Sequence, residues 1–281
     1  MGTAYFHGRP GTPGFPEFDT SYETLCRYPD RLERIQVTHA EMHELVLSAG
    51  VDPARVFRIP IGIDLEHFPL VDSESRAAAR RTLDLGMDAF VIGSFQKDGV
   101  GWGEGFEPKL IKGPDILVAA LETIRARAPE LVVVLTGPAR GYVRGELERL
   151  GIPDRHVVAR SRDELARAYH ALDVYVVPSR QEGGPKGVLE AMASGVPLVT
   201  TRVGQAPEIV EHGRNGFLVD VDEPEAIADA LLRIREDRAL SDAFTAAGRR
   251  TAEQQTYEHL DTSWESLLTG FVSPNISKRV D

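Results

Sequence analysis

The sequence predicts an α/β protein built on a doubly wound, Rossmann-like parallel sheet, and three observations carry that prediction. From residue 90 onward, six apolar runs alternate with six helical segments. The runs, such as LVVVLT at 131–136 and VYVV at 174–177, are apolar throughout, as strands covered on both faces are. Helix starts carry their own punctuation: proline at Pro114 and Pro224, and capping boxes read at Ser161 with Glu164 and at Asp222 with Glu225. Repeated strand-helix units of this kind close into one open sheet with helices on both faces.

In order, 3–6 reads as a short strand ending at His7-Gly8, followed by a Pro/Gly segment at 9–16 without regular structure. Strands are expected at 34–38 and 56–59, with a helix at 41–49 ending at Gly50. These strands are too few for an independent two-faced layer, so residues 1–65 read as a partial N-terminal α/β segment. Residues 64–75 read as a linker before a helix at 76–83. The alternation then gives strands at 90–93, 131–136, 156–159, 174–177, 197–201 and 217–219. Helices fall at 114–128, 142–150, 162–171, 187–194, 207–211 and 224–236. A last helix, about 257–271, is expected to return towards the N-terminal segment. The predicted units are therefore 1–65, a ligand-binding Rossmann-like domain at 66–255, and the returning helix within 256–281.

Composition narrows the function classes. The chain has 281 residues, 42% of them hydrophobic, enough for a sizeable core. A formal net charge of -11 disfavours nucleic acid as a partner. One cysteine, Cys26, excludes an intrachain disulfide framework and a cysteine-rich zinc site, and the other potential ligands lack metal spacing. No apolar run approaches the length of a membrane span, the N-terminus lacks signal-peptide character, and Phe6 breaks the myristoylation pattern begun by Met1-Gly2. The expected address is cytoplasmic.

In a doubly wound sheet, ligands bind beyond the carboxyl ends of the strands. The loops placed there begin at Ser94, Gly137, Arg160, Pro178 and Val203. The fourth is the richest: PSRQEGGPKGVLEAMASGVPLVTT, with Glu182 and Glu190 on either side of Gly183, Gly184, Pro185, Lys186 and Gly187. Bare backbone N–H groups at a helix start favour a phosphate or a sugar hydroxyl.

Together with RVGQAPEIVEHGRNGFLVD, this stretch resembles the donor-binding half of the group 1, family 4-like, retaining glycosyltransferases of the GT-B architecture. The shared features are the two acids at 182 and 190, Ala191-Met192-Ala193, Pro207-Glu208-Ile209 and Asn215-Gly216. The resemblance extends over about 30–235, because VTHAEMHELVLSAGVDPARVFRIPIGIDLEHF is similar to the family's approach to its interdomain hinge. It implies a truncated N-terminal domain.

The resemblance also implies roles. Glu190 would accept hydrogen bonds from the ribose, Glu182 would face the donor sugar, and Gly183 to Gly187 would hold sugar hydroxyls and phosphate. Lys186 is divided evenly between a phosphate contact and a solvated side chain. Gly137, Arg160 and Ser161 would border the nucleobase. His7, in its YFHG context, would reach the donor sugar across the cleft, with Arg9 as a second cleft residue. Lys112-Gly113 matches the family's second diphosphate clamp. The first does not match, since Gly93 is followed by Ser94 and not arginine, and Lys97 is expected to supply the missing charge. The insertion GVGWGEGFEPKLI, with glycines at 99, 101, 103 and 105, is a poor dinucleotide loop. It reads as a loop whose Trp102 and Phe106 either cover the donor or anchor the loop. Asp220-Val221-Asp222 resembles a metal-binding pair, but Asp222 is better read as a helix cap.

The expected function is retaining, hexosyltransferase-type transfer of a sugar from a nucleoside diphosphate sugar to a saccharide, lipid-linked or small-molecule acceptor. It needs no metal and no cofactor beyond the sugar nucleotide, and catalysis would rest on Glu182, Lys112, Lys97 and His7. The alternative is a nucleotide-sugar-binding module or fragment without transfer, completed by a partner chain; a sugar-nucleotide epimerase is remoter. Peripheral membrane association is left open, as is the nucleobase.

Overall fold

The computed structural model describes residues 3–270. The Met1-Gly2 pattern and the expected helix end at Phe271 lie outside the described residues. Strands β1 (Thr3–Tyr5), β2 (Arg34–Val37) and β3 (Val56–Arg58) form a parallel three-stranded sheet in that order. Helices α1 (Pro16–Arg27) and α2 (Ala40–Ser48) accompany it, and Phe6, Leu25, Ile35, Val37, Met42 and Val46 make its core. Helix α1 is not among the expected elements. Its apolar stripe, Phe18, Tyr22 and Leu25, is interrupted by Thr, Ser and acids, and only Leu25 is fully buried.

Next comes α3 (Ser73–Thr82), which starts within the expected linker because Asp72 and Ser75 form a capping box. Its Arg80, 1% exposed, donates to Asp173 at 2.7 Å, and Arg76 pairs with the same carboxylate. Asp173 also accepts from Val91 N at 2.7 Å, so one acid ties α3 to the start of the large sheet.

That sheet comprises β4 (Phe90–Ser94), β5 (Leu131–Thr136), β6 (Asp154–Val157), β7 (Val174–Val177), β8 (Leu198–Thr201) and β9 (Phe217–Val219). All pairs are parallel and the order is β6-β5-β4-β7-β8-β9. The order reverses between β4 and β7, which opens a crevice beyond Ser94 and Val177. Helices α4 (Pro114–Ile124), α5 (Gly141–Leu150), α6 (Arg162–His170), α7 (Lys186–Ser194), α8 (Ala206–Ile209) and α9 (Pro224–Glu236) follow the strands. Two buried clusters cover the two faces, one around Leu117, Leu121 and Val133, the other around Val91, Tyr175, Leu189 and Met192. The α/β, doubly wound prediction therefore holds.

Two local expectations change. Asp222 is not a cap: α9 has Glu223 at its N-cap position, and Asp222, with φ +62°, accepts from Arg180 Nε at 2.6 Å. A further helix, α10 (Arg238–Glu253), follows α9 directly, capped by Asp237 at Leu240 N. Its buried face is Phe244, Gly248 and Ala252, too small a set of side chains to stand out as a periodic stripe.

The chain then turns back. Ile63 N donates to Gln255 O at 2.9 Å, and α11 (Asp261–Leu268) presents its last carbonyls to the small sheet, where the Arg34 guanidinium donates to Leu267 O and Thr269 O.

Candidate functional site

The crevice is assembled by three loops. Arg180 positions two of them. Its guanidinium grips Asp115 bidentately at 2.8 and 2.7 Å, donates to Leu110 O at 2.7 Å, and reaches Asp222. These carboxylates hold the guanidinium charged and push its pKa upward, despite burial. Gly113, at φ +64°, packs so tightly on Pro178 that a Cβ there would meet Pro178 O at 2.0 Å. The start of α4 is thus fixed against the end of β7.

This clamp brings Lys112 and Glu182 together. Lys112 Nζ lies 2.6 Å from Glu182 Oε1, with side chains 24% and 12% exposed. The Ser179 hydroxyl lies 2.8 Å from the same carboxylate oxygen and 3.0 Å from Gln96 Oε1, while Gln96 Nε2 donates to Lys112 O at 3.1 Å. A cation, a carboxylate and two polar side chains therefore meet where the strand order reverses.

The small sheet faces them. His7 is exposed and stacks on Tyr5, with ring centroids 4.9 Å apart and planes 11° from parallel. A Cβ on Gly183 would meet Tyr5 Oη at 2.5 Å and come within 3.5 Å of His7 Cβ, and one on Gly184 would meet Ile61 Cγ1 at 2.3 Å. These two glycines are needed for close approach of the two sheets' loops, a purpose distinct from baring N–H groups for an anion. Gly187 packs in the same way on the Tyr175 hydroxyl. Thr38 Oγ1 donates to Gly183 O at 2.8 Å. The Tyr5 phenol, pushed up mainly by burial and further by Glu182, was not signalled by sequence except through its adjacency to His7.

Glu190 occupies a neighbouring cavity of ≈ 70 Å³, lined with Lys186, Arg162, Gly62, Asp64 and Tyr257. Burial raises its carboxyl above 4.5, opposed by the Tyr169 hydroxyl, which donates at 2.9 Å, and by the charges of Lys186 and Arg162. Pro185, the N-cap residue of α7, brings no side-chain cap, and Lys186 opens the helix.

The other expected residues divide. Gly137, at φ +80°, turns the chain after β5, and its carbonyl pairs with His156 Nε2 at 2.6 Å. Arg160 and Ser161 are exposed, and their nearby polar groups begin α6: Ser161 Oγ accepts from Glu164 N at 3.1 Å, and Arg160 N donates to Glu164 Oε2 at 2.6 Å. Gly93 sits inside β4, where a Cβ would meet Leu172 Cδ1 at 2.2 Å, so it is a packing glycine. Arg9 pairs with Glu41 at the start of α2 at 3.3 Å.

The glycine-rich insertion forms a hairpin. Val100 N donates to Glu107 O, Lys109 N to Asp98 O, and Gly99 bridges Pro108. It lies on the start of α5, where Gly141 N donates to Glu104 O at 2.6 Å and Tyr142 N to Gly105 O at 2.9 Å. Beneath it, Arg140 and Asp98 form a fully buried pair at 2.9 Å, and Arg140 also donates to Ser94 O at 2.7 Å and to Gln96 O. Burial drives the Asp98 carboxyl up from 3.8 to about 6 against the pull of Arg140. Lys97 Nζ lies 3.7 Å from the centre of the Trp102 ring, whose indole is 83% exposed. Trp102 thus covers a lysine, and the loop is fastened by backbone bonds and a buried ion pair.

Comparison with known proteins bears on the larger sheet in particular. Residues 104–237 match the family described as glycosyl transferases group 1. A D-inositol 3-phosphate glycosyltransferase of Jonesia denitrificans is 31% identical over 237 residues, covering 80% of this chain and 54% of the relative. One of Xylanimonas cellulosilytica is 36% identical over 232 residues, covering 78% and 52%. Residues 104–237 form a group 1 glycosyl transferase domain. The chain spans about half the length of these curated relatives. Among solved structures, Anabaena HepE in complex with UDP and glucose superposes with a TM-score of 0.79 at 20% identity, over 95% of this chain and 71% of that one. The sucrose-phosphate synthase of Thermosynechococcus elongatus gives 0.76 at 24% identity, over 96% and 67%. The two-sheet arrangement is therefore the GT-B fold, and the matched residues 104–237 carry strands β5 to β9 of the larger sheet.

Proposed function

We propose that this chain transfers a sugar from a nucleoside diphosphate sugar to a hydroxyl acceptor with retention of anomeric configuration. The Lys112–Glu182 pair at the strand-order reversal, faced by His7 from the other sheet, carries the reading. The bond from the anomeric carbon to the diphosphate oxygen breaks and its electron pair leaves with the diphosphate, which Lys112 and Lys97 stabilise. The acceptor oxygen forms the new bond on the same face, and its proton goes to the departing diphosphate. Glu182, Gly183, Gly184 and His7 address the donor sugar, Glu190 and Lys186 the ribose side, and Gly137 with Arg160 and Ser161 the base. The lysines supply the positive charge, so the reading asks for no metal.

HepE has been solved with UDP and with UDP-glucose, which favours a uridine donor as the first to test. The names of the curated relatives make D-inositol 3-phosphate the first acceptor. We assign residues 1–65 to the acceptor side, 66–255 to the donor side and the returning helix to the bridge between them. We place the protein in the cytoplasm; among the described residues no helix is long and apolar enough to cross a membrane.

A second reading, nucleotide-sugar binding without transfer, is favoured by the size of the facing sheet, with three strands against six among the described residues. Calorimetry with UDP, GDP and their sugars, followed by product analysis with D-inositol 3-phosphate, separates the two. Binding together with an α-linked product from an α-linked donor supports transfer, whereas binding without turnover supports the second reading. Failure to bind any of the nucleotides overturns both.

A further inference from the structure

We propose that Lys109 is a third diphosphate-binding cation of this site and takes over the charge of the arginine that does not follow Gly93. The inference rests on the donor reading above. Lys109 is the N-cap residue of a short 3-10 turn, Leu110–Lys112, and Lys112 N donates to Lys109 O at 2.8 Å. That bond closes one turn between the two lysines, and the base of the hairpin, closed by Lys109 N on Asp98 O at 2.7 Å, sets the backbone of Lys109 beside that of the residue following Lys97.

Burial lowers the Lys109 pKa from 10.5, and the charges of Lys112 and Lys97 lower it further, with Glu182 and Glu17 opposing. Lys112 is matched by Glu182, and Lys97 rests on Trp102. Among the described residues no carboxylate comes within ion-pair distance of Lys109; its neighbour is the Phe15 ring of the facing segment, 5.8 Å from Nζ. Lys112, Lys109 and Lys97 set against Glu182 and the more exposed Glu17 leave a local excess of positive charge. Such an excess repels itself and is relieved by a multivalent anion. A diphosphate between two sheets is an anion of that size and charge.

Replacing Lys109 by Gln tests the assignment. The probes are UDP, GDP, ADP and inorganic pyrophosphate, and the one bound most tightly by the unaltered protein is carried forward. Lys109→Gln is expected to weaken it about 10- to 100-fold, the loss of one charge-assisted contact, and Lys109→Arg to restore most of the affinity. Without ligand, Lys109→Gln is expected to melt no lower than the parent, because it relieves like-charge repulsion. Affinity within twofold of the parent overturns the inference and leaves the donor reading intact, as does a lowered melting point with unchanged affinity. If the unaltered protein binds none of the probes, the donor reading falls and the inference with it.

Discussion

At the residue scale, the Lys112–Glu182 contact puts two groups with expected separate roles, one for the phosphate and one for the sugar, into a single unit. Neighbours that share a function do not contribute additively. Lys112→Ala is expected to lower turnover by about 10²- to 10³-fold, the loss of one preorganised donor to a developing anion. Lys112→Ala with Glu182→Ala should cost much less than the product of the single losses, a deficit read from a double-mutant cycle on kcat. Asp98 makes a different prediction. Its folded carboxyl titrates at about 6, above the ordinary 3.8, so between those values the folded state holds a proton that the unfolded chain has released. Stability from this group is therefore greatest at low pH and declines as pH rises towards 6, after which it is flat. The unfolding free energy of the parent minus that of Asp98→Asn should fall from pH 4 to pH 6 and then stay constant in urea titrations. Glu182 and Glu190 stood out in the sequence because one loop and one helix start set their spacing, and Lys112 because Lys112-Gly113 immediately precedes the proline that opens a helix. Lys109, Arg140, Arg162 and Tyr5 were not: each gains meaning from a neighbour far away in sequence or from a turn the residues alone do not announce.

At the element scale, the hairpin of the insertion shows why a run of glycines is ambiguous on the page. A Cβ on Gly99 would meet Ala139 O at 2.3 Å, and one on Gly105, at φ +74°, would meet the Ala139 backbone at 2.5 Å. Gly103 has nothing within 4 Å. Gly99→Ala should therefore destabilise the protein by about 1–3 kcal/mol through a backbone clash, and Gly103→Ala should change it by less than about 0.5 kcal/mol at an open surface site. Thermal melts of the two variants side by side check this. Sequence alone reads both as the same loop glycine. The strands, in contrast, were placed closely, since continuous apolar runs between turn signals leave few alternatives; the exception is β6, which runs from Asp154 to Val157 and not over 156–159, because its residues DRHV form no apolar run. Helices α1 and α10 escaped because their faces are made of small or mixed residues that bury well only against a partner: a Cβ on Gly248 would sit 3.3 Å from Met192 Cγ.

At the scale of the whole molecule, the two sheets are joined by side chains of the PEI region reaching to the small sheet's loops. Gln205 Oε1 accepts from Ile61 N at 2.7 Å while its Nε2 donates to Ile61 O at 3.2 Å, and Glu208 Oε1 accepts from Ala40 N at 2.6 Å at the start of α2. Gln205 is 2% exposed, so Gln205→Ala leaves two part-buried backbone groups of Ile61 without these partners. The expected cost is about 1–3 kcal/mol, seen in denaturant unfolding together with a weaker response to donor, since Gly184 and Ile61 meet in the same contact. The sequence by itself determined the parallel α/β class, the strand positions, the acids at 182 and 190 and the family they resemble, because these depend on periodicities and spacings within single elements. Only the tertiary structure decided that Gly183 and Gly184 serve the approach of the two sheets, that Arg180 and not a cap holds Asp222, and that Lys112 meets Glu182 from a separate loop. Those outcomes depend on which distant residues fold into contact, and the energies of close approach, buried pairing and charge repulsion exist only once they do.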